Sequence, residues 1–204
     1  PQSWSYVRAE QLCHFITKGT TPQKGELYPA KGDVPFIKVY NLTFDGQLDF
    51  SIDPTYVSNE THKGFLARSV VYPRDVLMNI VGPPLGKVSL VPESFPEWNI
   101  NQAIARFRPK EQLNPKYLMY FLLSAITVDR TSKKAKATAG QFNLTLEICR
   151  DIEVPLCHPN EQAEVVRILD SQLSIADQLA NEIESALTNG DALRQSILKQ
   201  AFSG

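Results

Sequence analysis

The chain has only three cysteines in 204 residues, Cys13, Cys149 and Cys157, with no Cys-x-x-Cys pair and an odd thiol left over. A disulfide framework is therefore not expected, and a reducing cytoplasm is the expected setting. Cys13-His14 and Cys157-His158 hold metal-ligand types, but adjacent side chains point apart and the usual zinc spacings are missing, so no metal is expected. No apolar run approaches eighteen residues and no signal peptide is evident, so neither a membrane span nor export is expected. GxSxG, HExxH and a dinucleotide glycine fingerprint are missing. Gly82-Pro-Pro-Leu-Gly86-Lys87 superficially resembles a phosphate loop. It has three residues between its glycines, however, and Val88 follows the lysine where Ser or Thr must hold magnesium. His14, His62 and His158 show no spacing for metal or general-base work, and the carboxylates form no nuclease or methyltransferase pattern. No catalytic residue is assigned, which favours a binding module over an enzyme.

The most regular stretch present is the last one. Residues 160–204 read as one amphipathic helix, about 60 Å long at 1.5 Å per residue. Leu169, Leu173, Ala176, Ala180, Ile183 and Leu187 recur at spacings of four and three, a heptad seam that needs a partner helix. Gly190 falls on the same seam, and Thr188-Asn-Gly-Asp191 is poor helix sequence, so a kink or a close approach of a partner backbone is expected there. Charge divides at the same place. Residues 1–158 hold 18 Lys and Arg against 15 Asp and Glu, whereas 159–204 hold 3 against 7. A mildly basic head permits a polyanionic partner without demanding one.

The head reads as alternating short strands, turns and short helices. Trp4–Val7 is a strand, and Ile16–Gly25 a polar loop offering Lys18, Thr20, Thr21 and Lys24. Val34–Tyr40 is a strand, Asp45-Gly46 a tight turn, and Ser58 the cap of a short helix. Asp75–Val81 and Gly86–Val91 form a hairpin, and Asn101–Phe107 is another strand. Asn114 and Pro115 open a helix. Arg130–Gln141, with four cations in seven residues and no apolar anchor, is expected to be a mobile loop suited to phosphates. Phe142–Thr145 begins a helical turn, Asp151–Leu156 is the last strand, and Asn160 caps the long helix.

Taken in order, Ile16-Thr-Lys-Gly-Thr-Thr-Pro22, Val34-Pro-Phe-Ile-Lys-Val with Asn41-Leu, Val81-Gly with Gly86-Lys-Val, Gly140-Gln-Phe-Asn-Leu-Thr with Ile152-Glu-Val-Pro-Leu156, Glu161-Gln162 and Leu193–Phe202 resemble one family. It is the specificity subunit of type I restriction–modification enzymes, in half-length form, and the resemblance runs over essentially the whole chain. It implies an α+β protein, with a mixed target recognition domain over 1–158 followed by one long coiled-coil helix over 159–204. In that family two such domains, each followed by a helix, lie on an antiparallel helix pair and read the two halves of a bipartite DNA site. The subunit has no catalytic activity and no cofactor. S-adenosylmethionine, ATP and Mg belong to the partner methyltransferase and restriction (translocase) subunits. The chain lacks an initiator methionine, so it is expected to be a piece of a longer subunit or a natural half subunit.

On that reading the DNA-facing candidates are Lys18, Thr20, Thr21, Lys38, Asn41, Asn79, Lys87, Asn101, Arg130, Lys133, Lys134, Lys136 and Gln141. The cations would lie on phosphates, with Lys38, Asn41, Asn79, Asn101 and Gln141 at base edges. The seam residues and Gly190 would form a homodimer, whose symmetry would select an interrupted palindrome in double-stranded DNA. The alternative is a protein-interaction adaptor that dimerises through its helix and binds no nucleic acid.

Overall fold

The computed structural model of the protein describes residues 4–139 and 143–203, and of 136–139 only the backbone. It is a mixed α+β protein ending in a long helix, and it divides into two compact units, Pro1–Ala163 and Glu164–Gly204. In the first unit, β1 (Ser5–Arg8) pairs antiparallel with β11 (Glu153–Leu156), which ties the start of the head to its end. A four-stranded antiparallel sheet runs β2 (Cys13–Lys18), β10 (Ile104–Pro109), β7 (Val76–Asn79), β8 (Val88–Leu90). A five-stranded sheet runs β3 (Tyr28–Pro29), β5 (Thr55–Val57), β4 (Val34–Ile37), β9 (Trp98–Ile100), β6 (Val70–Val71), with β4 and β9 parallel.

The alternation of side chains along a strand sends β4 into two apolar clusters. Ile37 joins Trp98 and Ile100 of its own sheet, Leu77 and Ile104 of the four-stranded sheet, and Leu42, Val71 and Val91. Phe50 and Phe95 set their edges against the Trp98 ring at 5.2 and 4.9 Å between centroids. Val34 and Phe36 instead pack with Val57 and Leu66. Removing this apolar surface from water is the main term holding the sheets together.

Local signals hold where the capping chemistry is local. Ser58 Oγ accepts from Thr61 N (3.1 Å) at α2 (Asn59–Lys63), which follows α1 (Ala9–Leu12) in chain order. Asn114 Oδ1 accepts from Lys116 N and Tyr117 N at the start of α3 (Pro115–Leu123), with Pro115 at its first position. Thr145 caps α5 (Leu146–Arg150). Strand ends differ from expectation. Ile16–Lys18 belong to β2 and not to the loop, and β4 stops at Ile37 before a 3-10 turn, Val39–Asn41. β10 begins at Ile104, because Asn101 Oδ1 accepts from Ala103 N (3.2 Å) and its carbonyl from Ile104 N (3.2 Å), folding 101–103 into a turn.

The largest correction is α4 (Ala125–Ala139), which runs through most of the segment expected to be a loop. Alanine and lysine are strong helix formers. Thr127, Thr131 and Ala135, four apart, make a narrow buried face that needs no large apolar anchor. Thr131 Oγ1 donates to Thr127 O (2.8 Å), and Lys133 pairs with Asp129 one turn back.

The long helix α6 (Pro159–Phe202) is 44 residues. Its cap is His158 and not Asn160: the His158 carbonyl accepts from Glu161 N (2.9 Å) and Gln162 N (3.1 Å), and Glu161 Oε2 accepts from His158 N (3.3 Å). Gln162 is fully buried in the first unit. Its Nε2 donates to Gln112 O and Cys157 O, both at 2.9 Å, and its Oε1 accepts from Asn114 N at 2.8 Å.

In the second unit the helix is continuous through Thr188–Asp191, and a Cβ on Gly190 would meet nothing within 4 Å. The apolar stripe there is wider than the seam. Ile168, Ile175, Leu179, Ala186, Leu193 and Ile197, at spacings of seven and four, form a second row beside Leu169, Leu173, Ala176, Ala180, Ile183 and Leu187. This row runs straight past Gly190, without the kink expected there. No helix among the described residues is long and apolar enough to cross a membrane.

Candidate nucleic-acid interface

Backbone hydrogen bonds tie three loops of the head to residues 100–103 and two more to their neighbours, five loops in one cluster. Asn101 N donates to Ile37 O (3.1 Å), which holds the Lys38 turn beside it. Thr20 N donates to Ile100 O (3.2 Å) and Ile80 N to Ala103 O (2.9 Å), bringing in the loops after β2 and β7. Val88 N donates to Thr43 O (3.1 Å) and Leu90 N to Gly46 O (3.1 Å), laying the 42–48 turn along β8. Leu144 N donates to Ile80 O (2.8 Å), adding the chain that leads into α5. Gly19 makes the tightest approach: a Cβ there would lie 2.1 Å from Ile100 O and 2.3 Å from Asn101 O.

Lys18, Thr20, Thr21, Lys38, Lys87 and Asn101 all come to this loop cluster. Lys18 is exposed at the end of β2, and the Thr21 hydroxyl donates to the Gln102 side-chain carbonyl. Lys38 Nζ lies 3.2 Å from Asp53 Oδ2 and 5.4 Å from the centroid of the Tyr40 ring. Burial pulls the Lys38 ammonium down, but Tyr40 and Asp53 more than offset this and hold it above its ordinary value. The Tyr40 hydroxyl and then Lys38 hold Asp53 below its ordinary value, and Asp53 sits in the left-handed region at φ 47°. Lys87 Nζ lies 5.6 Å from the Phe44 ring centroid.

Two candidates for base edges are built into the fold instead. Asn41 is 1% exposed, with Oδ1 accepting from Lys38 N (2.8 Å) and Nδ2 donating to Asp49 O (3.0 Å) and Ile52 O (2.7 Å). Asn79 is 0% exposed, with Oδ1 accepting from Gly86 N (3.1 Å) and Lys87 N (2.9 Å) and Nδ2 donating to Pro84 O (2.8 Å). To meet a base, either amide would have to abandon buried partners, so both act by shaping the loops. Arg130, Lys133 and Lys134 lie elsewhere, in a cleft of about 410 Å³ with Phe121, Ile148, Asp151 and Glu153. Gln141 and the Lys136 side chain lie outside the described residues.

The sequence reading missed Gln102, Tyr40, Asp53 and Phe44. Gln102 was hidden by the strand pattern read through it. Tyr40 and Asp53 meet across thirteen residues, for which there is no local signal.

Other polar groups of the head are structural. His62 is buried, with Nε2 2.9 Å from Glu97 Oε2. Burial raises the Cys13 and Cys149 thiols to about 12, so they stay neutral and unreactive. Among the described residues no group of three His, Cys, Asp or Glu side chains could hold a metal.

The structure is thus an α+β head with a cluster of hydrogen-bonded loops, followed by a long amphipathic helix. The chain belongs to the type I restriction modification DNA specificity domain family, whose profile matches residues 1–189. It is 28% identical over 208 residues to the EcoBI specificity subunit of Escherichia coli, covering all of this chain and 42% of that one. To the EcoKI specificity subunit of Escherichia coli K12 it is 30% identical over 101 residues, half of this chain and 22% of that one. The chain thus spans less than half the length of the relatives it matches. A chain from a structural study of complex assembly and conformational transition of the type I R-M system superposes with TM-score 0.78 at 21% identity, covering 99% of this chain and 46% of that one. The HsdS subunit from Thermoanaerobacter tengcongensis superposes with TM-score 0.65 at 22% identity, covering 87% and 39%.

Proposed function

We propose that the head reads one half of a bipartite DNA site and that the long helix joins it to a second recognition half and to methyltransferase and restriction subunits. The chain itself catalyses nothing, and S-adenosylmethionine, ATP and Mg act in the partner subunits. The observation that carries this reading is a cluster of five hydrogen-bonded loops, three of them tied to residues 100–103, which carries Lys18, Lys38, Lys87, Thr21 and Gln102. Lysines of this kind neutralise phosphates and set register, while the amide and hydroxyl groups between them can read base edges.

Duplex binding is therefore expected to weaken steeply with salt. Lys18→Ala, Lys38→Ala and Lys87→Ala together should reduce the slope of log K against log salt by about 2–3, because each phosphate contact contributes about 0.9. Fluorescence anisotropy across a salt series measures this, with Lys133, Lys134 and Lys136 changed to alanine for comparison. An unchanged slope in the first triple variant, or no duplex binding by the wild-type chain, would sink the proposal. The adaptor reading then takes its place.

The helix supports pairing because two apolar rows run along it in the second unit. A two-stranded seam occupies one row, leaving the other for a further subunit. The wild-type chain is expected to sediment as a pair at micromolar concentration, and Ile183→Asp as a single chain. A single-chain mass for the wild type would count against self-pairing.

A further inference from the structure

The turn 42–48 carries an aromatic ring outward on a rigid base. Phe44 is 58% exposed. The backbone beneath it is bolted down: Thr43 N donates to Ser89 Oγ (3.2 Å), Thr43 Oγ1 to Gln47 O (2.7 Å), and Gln47 N to Asp45 Oδ1 (3.0 Å). Val88 N and Leu90 N bond to the same turn from β8. One edge of the ring lies near Gly86, where φ is +104° and a Cβ would lie 3.2 Å from Val128 Cγ1 and 3.9 Å from Phe44 Cε1. The neighbouring loop, held by Asn79, adds Val81 at 45% exposure and the exposed Pro83 and Pro84. The Lys87 ammonium lies beside the ring, and Lys38 belongs to the same loop cluster.

A solvated surface turn gains nothing from a rigid exposed phenyl ring. Against DNA the arrangement is complementary: the Lys87 ammonium can meet a phosphate while the apolar tip beside it meets the base stack. We propose that Phe44 is a wedge that enters the duplex at the recognised half-site and unstacks one base step. The inference rests on the DNA-reading proposal and deepens it. Pyrimidine–purine steps open most easily, so the wedge should act at such a step.

The test uses the full chain and a duplex site enriched by the wild-type chain from a randomised library, with 2-aminopurine placed at successive positions. Wild-type chain should raise 2-aminopurine fluorescence at one step. Phe44→Ala should weaken binding about tenfold, abolish that rise and leave the salt slope unchanged, since no phosphate contact is lost. Phe44→Trp should restore both the rise and the affinity. Thermal melting of the Phe44→Ala chain should match the wild type, because the ring is largely outside the core. If the wild-type chain binds no duplex, both proposals fall. If Phe44→Ala binds as tightly as wild type with the full rise, the wedge alone falls. If Phe44→Ala loses a methyltransferase subunit while its DNA affinity is unchanged, the wedge also falls and Phe44 is a protein contact.

Discussion

Gly19→Ala is expected to destabilise the head by about 4 kcal/mol and to abolish duplex binding. The methyl group would sit 2.1 Å from Ile100 O and 2.3 Å from Asn101 O, both backbone atoms that no rotamer change can move. Overpacking alone costs about 1–3 kcal/mol. Relief requires β2 to part from the 100–103 segment, which gives up the bonds from Gly19 N to Ile104 O (3.1 Å) and Thr20 N to Ile100 O (3.2 Å), at about 1 kcal/mol each. For a chain of this size the midpoint of thermal unfolding should fall by roughly 10 °C. The same movement displaces the turn 101–103, to which the loops after β4 and β7 are bonded through Ile37 O and Ile80 N, so DNA binding should fail in the fraction that still folds. Circular dichroism melting and anisotropy on one sample check both effects. A midpoint within 2 °C of wild type would contradict the argument.

That glycine lies in a stretch the sequence marked only as a polar loop, and it shows what was legible. Two caps were legible because their chemistry is local: Ser58 and the Asn114-Pro115 pair each accept from an amide two or three residues on, whereas the long helix is capped by His158 and not by the expected Asn160. The long helix was legible from its period. α4 was not, because a buried face made of Thr127, Thr131 and Ala135 has no hydrophobic signal and lies among cations. The loop cluster was not legible either. The bonds that assemble it join residues 20 to 100, 37 to 101, 43 to 88 and 80 to 144, and no local pattern encodes such pairings. Asparagine exposes the same limit: Asn41 and Asn79 were read as base-edge groups, yet in a turn the same amide serves equally well as an internal brace.

Asp75→Ala is expected to cost about 3–5 kcal/mol, through charges that the net value for the head conceals. Asp75 is 2% exposed. Its carboxylate accepts from Arg108 Nε (2.7 Å) and Nη2 (2.6 Å), and from Tyr72 N (2.9 Å). Arg108 lies 4.7 Å from the Phe15 ring centroid and 4.5 Å from that of Tyr72, and Arg106 stacks on Phe15 at 4.5 Å. Burial lowers Arg106 to about 10, partly countered by the Asp75 charge, so it stays cationic at neutral pH. Removing the carboxylate leaves two part-buried guanidinium groups with no anion between them, and breaking a buried pair from one side costs far more than the pair contributes.

Replacing both partners should therefore cost less than replacing Asp75 alone. Asp75→Ala with Arg108→Met is expected to recover at least 1 kcal/mol in urea unfolding, and Asp75→Asn to fall between wild type and Asp75→Ala. Strict additivity of the two single changes would show that the pair is not coupled. The same cluster bears on recognition. Two of the head's cations are committed to Asp75, Phe15 and the Val70 carbonyl, so they are not available to phosphates. The salt slope of duplex binding should follow the lysines of the loop cluster and not the total count of positive residues.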